Sequence, residues 1–392
     1  MNKKPRILVV DDEPFNVDYL EQELADLNYE TISATNGQEA LEKMAGESPD
    51  LVLLDIMMPV MDGFAVLAQM KSDPVMRDIP VIIISAMNDL QSVVKGVQQG
   101  AEDYLPKPFE PTLLHARISS SLGRKRLRDL EQLQLKSLER EMNIAAEIQR
   151  EFLPPELPRI QNWEIGAYFR AANEVAGDFY DAFTLPNGNL ICVIGDVCGK
   201  GVGAALFMTL FRSLIRATST YGYFSSDPSQ NTFNPAEQLN HAISFTNKYV
   251  ALTHEQANMF ATVFICMLDA NTDTLSYINC GNEPPYLLRK NGTLEELPPT
   301  GPVVGIIADA KFRVSEINMG KGDFLLIFTD GIPDCKNPQQ EFFGHESLKQ
   351  LLNQEHASPV KCVNLVGEQL SKFTGGTSQF DDITMLAIKR MI

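Results

Sequence analysis

The stretch LVLLDIMMPVMDG, residues 51–63, decides how the first third of the chain is read. Four apolar residues run into a carboxylate, Asp55, and a Pro/Met/Gly turn follows. A short, continuous apolar run fits a strand buried on both faces of a parallel sheet. An acid just past its end is held rigidly and faces a crevice. The pattern recurs. Asp11 and Asp12 follow ILVV (7–10), and Ser85 follows VIII (81–84). Much later, Asp196 follows ICVIG and Asp330 follows FLLIFT. Carboxylates gathered at strand ends repel one another unless a divalent cation neutralises them. Two metal sites are therefore expected, one in each half.

Outward from residues 51–63, the first 122 residues alternate apolar runs with helical patterns such as FNVDYLEQELADL and GQEALEKM, and YLPKP closes the series. This alternation predicts an α/β doubly wound, flavodoxin-like domain over 1–122. Residues 123–155 contain a helical pattern over 123–152, ended by Pro154 and Pro155. Leu127, Leu130, Leu135, Leu138, Met142, Ala145 and Phe152 roughly hold a three-four spacing, so a parallel coiled coil between two chains is expected. Gln134 and Gln149 interrupt the seam and should keep it weak. Residues 156–392 carry many β-type runs (ICVIGDV, ATVFICML, TLSYI, PYLLR, FLLIFTD, ITMLAIK) with two helical stretches between them. That order predicts an α+β layered β-sandwich. The polar stretch 222–235 reads as a surface loop.

Bulk properties exclude several classes. The net charge of −18 disfavours nonspecific nucleic-acid binding, and no output helix-turn-helix is evident, so direct DNA binding is not expected. The basic run Arg124–Arg128 is short and reads better as a solvated helix face. No stretch approaches a membrane span, and the start MNKKPR–ILVV lacks a signal peptide's apolar region, so a cytoplasmic protein with no membrane contact is expected. Six cysteines show neither CxxC pairing nor zinc spacing and read as mostly buried free thiols.

In the first half, Asp11 and Asp12 can hold Mg²⁺, with Asp55 as third carboxylate and nucleophile. Ser85 can donate to a phosphoryl oxygen, and Lys107 supplies positive charge. VVDD, LLDIMMPVMDG, IIISA and YLPKP resemble the response-regulator receiver domain, in order, over nearly all of 1–122. The resemblance implies Asp55 as phosphoacceptor and Met57 as a backbone-carbonyl ligand to the metal. It also implies Ser85 and Tyr104 as the switch pair, Lys107 as phosphate contact and a sensor histidine kinase as partner. A cis bond before Pro108 is a further expectation. The plainer reading, incidental strand-end acids, requires five positions to fall in register by accident.

In the second half, Asp178 lies in EVAGDFYDAF, where Gly177 is expected to give a tight turn. Asp196 lies in GDVCGKGVGAA, whose glycines are expected to allow close approach to a metal or phosphate. Asp330 lies in FTDGIPD, and Asp381 and Asp382 lie in QFDDITML. Four acidic stations on distant strand ends suit a two-metal cluster that activates water. These motifs, with EREMNIAAEIQREFLPP (139–155), resemble the bacterial branch of the metal-dependent, type 2C-like serine/threonine phosphatases, the sporulation and stress-regulator group. The resemblance covers about 150–392. It implies that Asp178, Asp196, Asp330 and Asp381 hold two Mn²⁺ or Mg²⁺ ions, that Val197 adds its carbonyl, and that Asp382 is an acceptor behind the ligands or an alternative ligand. Ala176, Cys198, Asn282 and Asp334 depart from the family pattern, which has Gly, Ser, His and Glu there. None of these departures removes a carboxylate expected to bind metal.

The expected function is a two-component response regulator whose output is a metal-dependent protein serine/threonine phosphatase controlled by Asp55 phosphorylation. The resemblance implies a phosphorylated anti-sigma-factor antagonist as substrate, and the helix implies a homodimer. The alternative is a phosphorylation-controlled adaptor with a non-catalytic output domain.

Overall fold

The computed structural model describes residues 4–86, 90–220, 234–353, 358–377 and 379–391. The chain forms two compact units, Met1–Leu138 and Glu139–Ile392. In the first, β1 (Arg6–Val10), β2 (Glu30–Ala34), β3 (Leu51–Asp55), β4 (Val81–Ala86) and β5 (Asp103–Lys107) form one parallel sheet in the order β2-β1-β3-β4-β5. Around it run α1 (Pro14–Asp26), α2 (Gly37–Glu47), α3 (Gly63–Ser72), α4 (Leu90–Gln98) and α5 (Pro111–Phe152). Asn36 and Asp62 cap α2 and α3 by accepting from backbone N–H groups. Residues of β1, β3 and β4 are buried on both faces, which is why their sequences read as unbroken apolar runs. Strand β2, ETISA, is a half-exposed edge, so the apolar pattern missed it. The strand order reverses between β1 and β3, the place where such sheets open a crevice at their carboxyl ends.

The helix expected from residue 123 begins at Pro111 and runs unbroken for 42 residues. Its first part belongs to the receiver fold: Leu114, Ile118 and Leu122 are buried in that core. Gly123 does not interrupt it. The basic residues of its next turns are largely spent on ion pairs, Arg124 and Arg128 with Glu102, and Lys125 with Asp129 and Asp50.

Among the described residues, the second unit holds ten further strands in two antiparallel sheets. The first comprises β7 (Asp178–Thr184), β8 (Leu190–Val197), β9 (Ala261–Asp269), β10 (Thr274–Cys280) and β13 (Ser315–Asn318), in the order β13-β10-β9-β8-β7. The second comprises β6 (Trp163–Arg170), β11 (Tyr286–Leu288), β12 (Leu294–Glu296), β14 (Phe324–Phe328) and β15 (Ile383–Arg390), in the order β12-β11-β14-β15-β6. Alternation along each strand builds the layers. In β8, Cys192 and Ile194 join Ile165, Leu386 and Ile388 of the other sheet, whereas Ile191 and Val193 face helices α6 (Val202–Thr220) and α7 (Pro235–Thr253). Helices α8 (Gly344–Leu352) and α9 (Pro359–Thr374) cover the second sheet's outer face through Leu348, Leu352, Val363, Val366 and Leu370. Sequence reading found six apolar runs, on β8, β9, β10, β11, β14 and β15, and missed β6, β7, β12, β13, α8 and α9. The loop expected over 222–235 lies outside the described residues up to 233, and Asn234 caps α7.

Candidate functional sites

The crevice beside β1 and β3 collects the receiver acids. One ligand oxygen from each of Asp11, Asp12 and Asp55 lies within 4.8 Å of the others. Lys107 reaches in from the end of β5, 2.9 Å from Asp11 Oδ2 and 3.2 Å from Asp55 Oδ1. Burial pulls the Lys107 ammonium down, but its bonds to Asp11 and Asp55 raise it overall. Burial pushes the Asp55 carboxyl up; Lys107 opposes this and Asp11 adds to it. Asp12, Asp55 and Lys107, with Ser85, Met57 and Ile84, line a cavity of about 260 Å³. Ser85 is buried at the strand end, and Met57 is 79% exposed. Tyr104 faces outward beneath the Arg117 guanidinium, 5.4 Å from the ring centroid. The Lys107–Pro108 bond is cis. Sequence reading missed Asn16, whose amide donates to both Asp11 oxygens at 3.1 Å and fixes that carboxylate.

The second site forms where the two sheets of the sandwich bring strand ends together. Asp178 opens β7 and pairs across with Asp196 near the end of β8. Asp330 follows β14, and Asp381 and Asp382 precede β15, its antiparallel neighbour. Burial is the largest cause raising each of Asp178, Asp196, Asp330 and Asp382. Repulsion follows: Asp330, Asp381 and Asp382 help push Asp196 up to about 7, and Asp381, Asp334 and Glu283 help push Asp330 up to about 6. These acids share one electrostatic field. Among the described residues, however, only the receiver set places three ligand atoms within 4.8 Å of one another. A cluster that surrounds two cations a few ångströms apart has its acids spread around them.

Each carboxylate has its own surroundings. Asp178 is buried, and its Oδ2 accepts from Thr329 Oγ1 at 2.7 Å and Thr384 Oγ1 at 2.6 Å. Asp382 accepts from the backbone N–H groups of Ala172, Gly177 and Asp178, at 2.7, 2.7 and 3.3 Å. Both its oxygens are thereby committed to the backbone. Asp381 is half-open and lies 3.2 Å from Lys200 Nζ. Val197 is fully buried and pairs with Ala261 of β9.

Two glycine expectations change. Gly177 makes no left-handed turn; it is there for space, because a Cβ would come within 2.9 Å of Val197 O. Gly199 and Gly201 have open space but left-handed backbone, φ 91° and 74°, so they shape the loop rather than make room. Gln149, expected to interrupt a coiled-coil seam, is buried against Ala176 with hydrogen bonds in both directions.

Both acid sets fit hard divalent cations. Each gathers oxygen donors, and each has a lysine as its close positive neighbour.

A parallel receiver sheet followed by an antiparallel sandwich with acids at its strand ends defines a receiver domain fused to a phosphatase-type domain. Comparison with known proteins agrees. The family profile described as "Response regulator receiver domain" matches residues 7–119, and that described as "Stage II sporulation protein E (SpoIIE)" matches 186–391, over half of the chain. The chain belongs to the SpoIIE family. It is 39% identical to Protein IcfG of Synechocystis sp. over 263 residues, 64% of this chain and 41% of that protein. It is 45% identical to Response regulator PleD of Caulobacter vibrioides over 115 residues, 29% of this chain and 25% of that protein. The chain thus spans less than half of these relatives' lengths. The SiaA-PP2C domain of Pseudomonas aeruginosa shares the fold, with a TM-score of 0.51 and 21% identity over 65% of this chain and 98% of that one. No helix among the described residues is long and apolar enough to cross a membrane.

Proposed function

We propose that the chain is a phosphorylation-controlled, metal-dependent protein serine/threonine phosphatase. It is organised as a receiver over 1–122, a helical connector over 123–155 and a catalytic domain over 156–392. The observation that carries the reading is the meeting of Asp178, Asp196, Asp330 and Asp381 at the ends of strands from two sheets, where burial and acidic neighbours raise Asp178, Asp196 and Asp330, and Asp381 is one of the neighbours acting on the last two. These four, with the Val197 carbonyl, would hold two Mn²⁺ or Mg²⁺ ions. Bound there, such ions lower the pKa of water and offset charge on a phosphoryl group. The protein's own part is to orient the donors. Thr329 and Thr384 fix Asp178, and Asp382 ties the Ala172–Asp178 backbone to the start of β15.

In the receiver, Asp55 accepts the phosphoryl group from a sensor histidine kinase. Asp11, Asp12, Asp55 and the Met57 carbonyl would hold Mg²⁺, with Lys107 and Ser85 meeting the phosphoryl oxygens and Tyr104 completing the switch. The substrate is a phosphorylated anti-sigma-factor antagonist or a similar phosphoprotein. The exposed Leu127, Leu130, Leu135 and Leu138 support a homodimer through α5, and a cytoplasmic location suits these partners. The test is Mn²⁺-dependent release of phosphate from phosphoserine proteins by the full chain, with and without acetyl phosphate. Turnover that persists in Asp196→Asn, or that needs no metal, overturns the reading.

A further inference from the structure

Beside the acid cluster, three distant segments bring together two lysines and two open aromatic rings. Phe380 immediately precedes Asp381 and is 63% exposed; Phe342 is 58% exposed. Lys200, from the glycine loop, places its ammonium 3.8 Å from the Phe380 ring centroid, and it is also bonded to the Phe380 carbonyl and paired with Asp381. It is fully engaged, and it fixes Phe380 in place. Lys336 differs. Its ammonium lies 4.8 Å from the Phe342 centroid and 5.4 Å from that of Phe380, and among the described residues it is in no ion pair. Its backbone bridges to Phe342 across a turn that Asn337 holds, accepting from the N–H groups of Gln339 and Glu341. Aromatic faces steady an ammonium without neutralising its charge. On a chain of net charge −18, a fixed, unspent cation attracts an acidic partner locally.

We propose that Lys336, Phe342 and Phe380 form a specificity patch for the substrate polypeptide. Lys336 pairs with an acidic residue flanking the phosphorylated one, and the two rings take an apolar neighbour. This rests on the phosphatase reading above. The occupant is an acidic phosphopolypeptide, because the patch adjoins the proposed catalytic acids and offers one free positive charge between apolar faces.

The probes are a fluorescein-labelled phosphoserine peptide flanked by Asp and Leu, its Asn-flanked counterpart, and p-nitrophenyl phosphate. In the full chain, Lys336→Ala should raise KM for the Asp peptide about threefold to fivefold, the upper part of the range an exposed ion pair supplies. The value of kcat, the Asn peptide and p-nitrophenyl phosphate should be unaffected. Lys336→Arg should restore the preference, and Phe342→Ala should weaken binding of both peptides but not of p-nitrophenyl phosphate. An unchanged KM for the Asp peptide, or equal loss on all three substrates, overturns the patch. If the wild type hydrolyses nothing, the phosphatase reading has failed, and fluorescence anisotropy then decides the patch alone. A Kd for the Asp peptide that worsens in Lys336→Ala supports it, and an unchanged Kd refutes it.

Discussion

Gln149 and Ala176 hold each other by reciprocal hydrogen bonds: Gln149 Nε2 donates to the Ala176 carbonyl at 2.7 Å, and the Ala176 N–H donates back to Oε1 at 2.9 Å. The glutamine lies near the end of α5, and Ala176 stands two residues before Asp178. Around this pair, Ala146, Val175 and Ala205 form a small buried cluster. The last turns of α5 are therefore fastened to the backbone that presents a proposed metal ligand.

That contact yields the first prediction. Gln149→Ala leaves a buried N–H and a buried carbonyl without partners, at about 1–3 kcal/mol for each unsatisfied group. A lower melting temperature is expected. Because the loosened segment leads to Asp178, kcat should also fall about tenfold, in the range seen when supporting partners of metal ligands are removed. A variant that melts lower with kcat intact would reduce Gln149 to a packing role.

The receiver gives a sharper test. Asp55→Asn should abolish labelling by acetyl phosphate with Mg²⁺, read by intact mass. Lys107→Ala should slow labelling, because the ammonium 3.2 Å from Asp55 is lost. Labelling of Asp55→Asn equal to wild type would place the phosphoacceptor elsewhere.

Thr329 and Thr384 supply a third prediction. Each hydroxyl donates to Asp178 Oδ2, and replacement by valine keeps the shape but removes the donor. Titration calorimetry with Mn²⁺ should show affinity falling about tenfold to a hundredfold in either variant. Unchanged affinity would show that Asp178 does not hold the metal.

Of the candidate acids, Asp196 and Asp330 were legible because they lie at the ends of apolar strands, where periodicity reveals a fixed carboxylate; Asp178 and Asp381 stand at or before the start of their strands and were read from their motifs instead. The supporting groups were not legible. Thr384 lies one residue inside β15 and reads as an ordinary strand threonine; only the pairing of β14 with β15 brings it and Thr329 onto Asp178. Gln149 has no apolar signature, and on a helical pattern it resembles a seam defect. Strands β6 and β7 were missed because WEIGAYFR and DFYDAFT mix polar and aromatic residues. Their burial depends on partners more than two hundred and fewer than twenty residues away, respectively, in β15 and β8.

The last prediction concerns pH and metal together. Asp196 and Asp330 are raised to about 7 and about 6 from an ordinary value of 3.8, first by burial and then by their acidic neighbours. Between the ordinary and the raised values, the folded chain holds protons that the unfolded chain has released. Their contribution to stability is therefore complete below the ordinary value and is lost as pH rises through about 6 to 7. In chelator, the melting temperature should fall between about pH 5 and about pH 8, and the fall should be smaller in the Asp196→Asn, Asp330→Asn double variant. Metal acts in the opposite sense, because cations bind the deprotonated carboxylates and bind only the folded chain. Added Mn²⁺ should therefore raise the melting temperature more at about pH 8 than at about pH 5, and the double variant should lose most of that gain. Differential scanning calorimetry of the full chain in the four combinations of pH and metal measures this directly. A Mn²⁺ gain that is equal at both pH values, or one retained in the double variant, would place the bound metal away from these two acids.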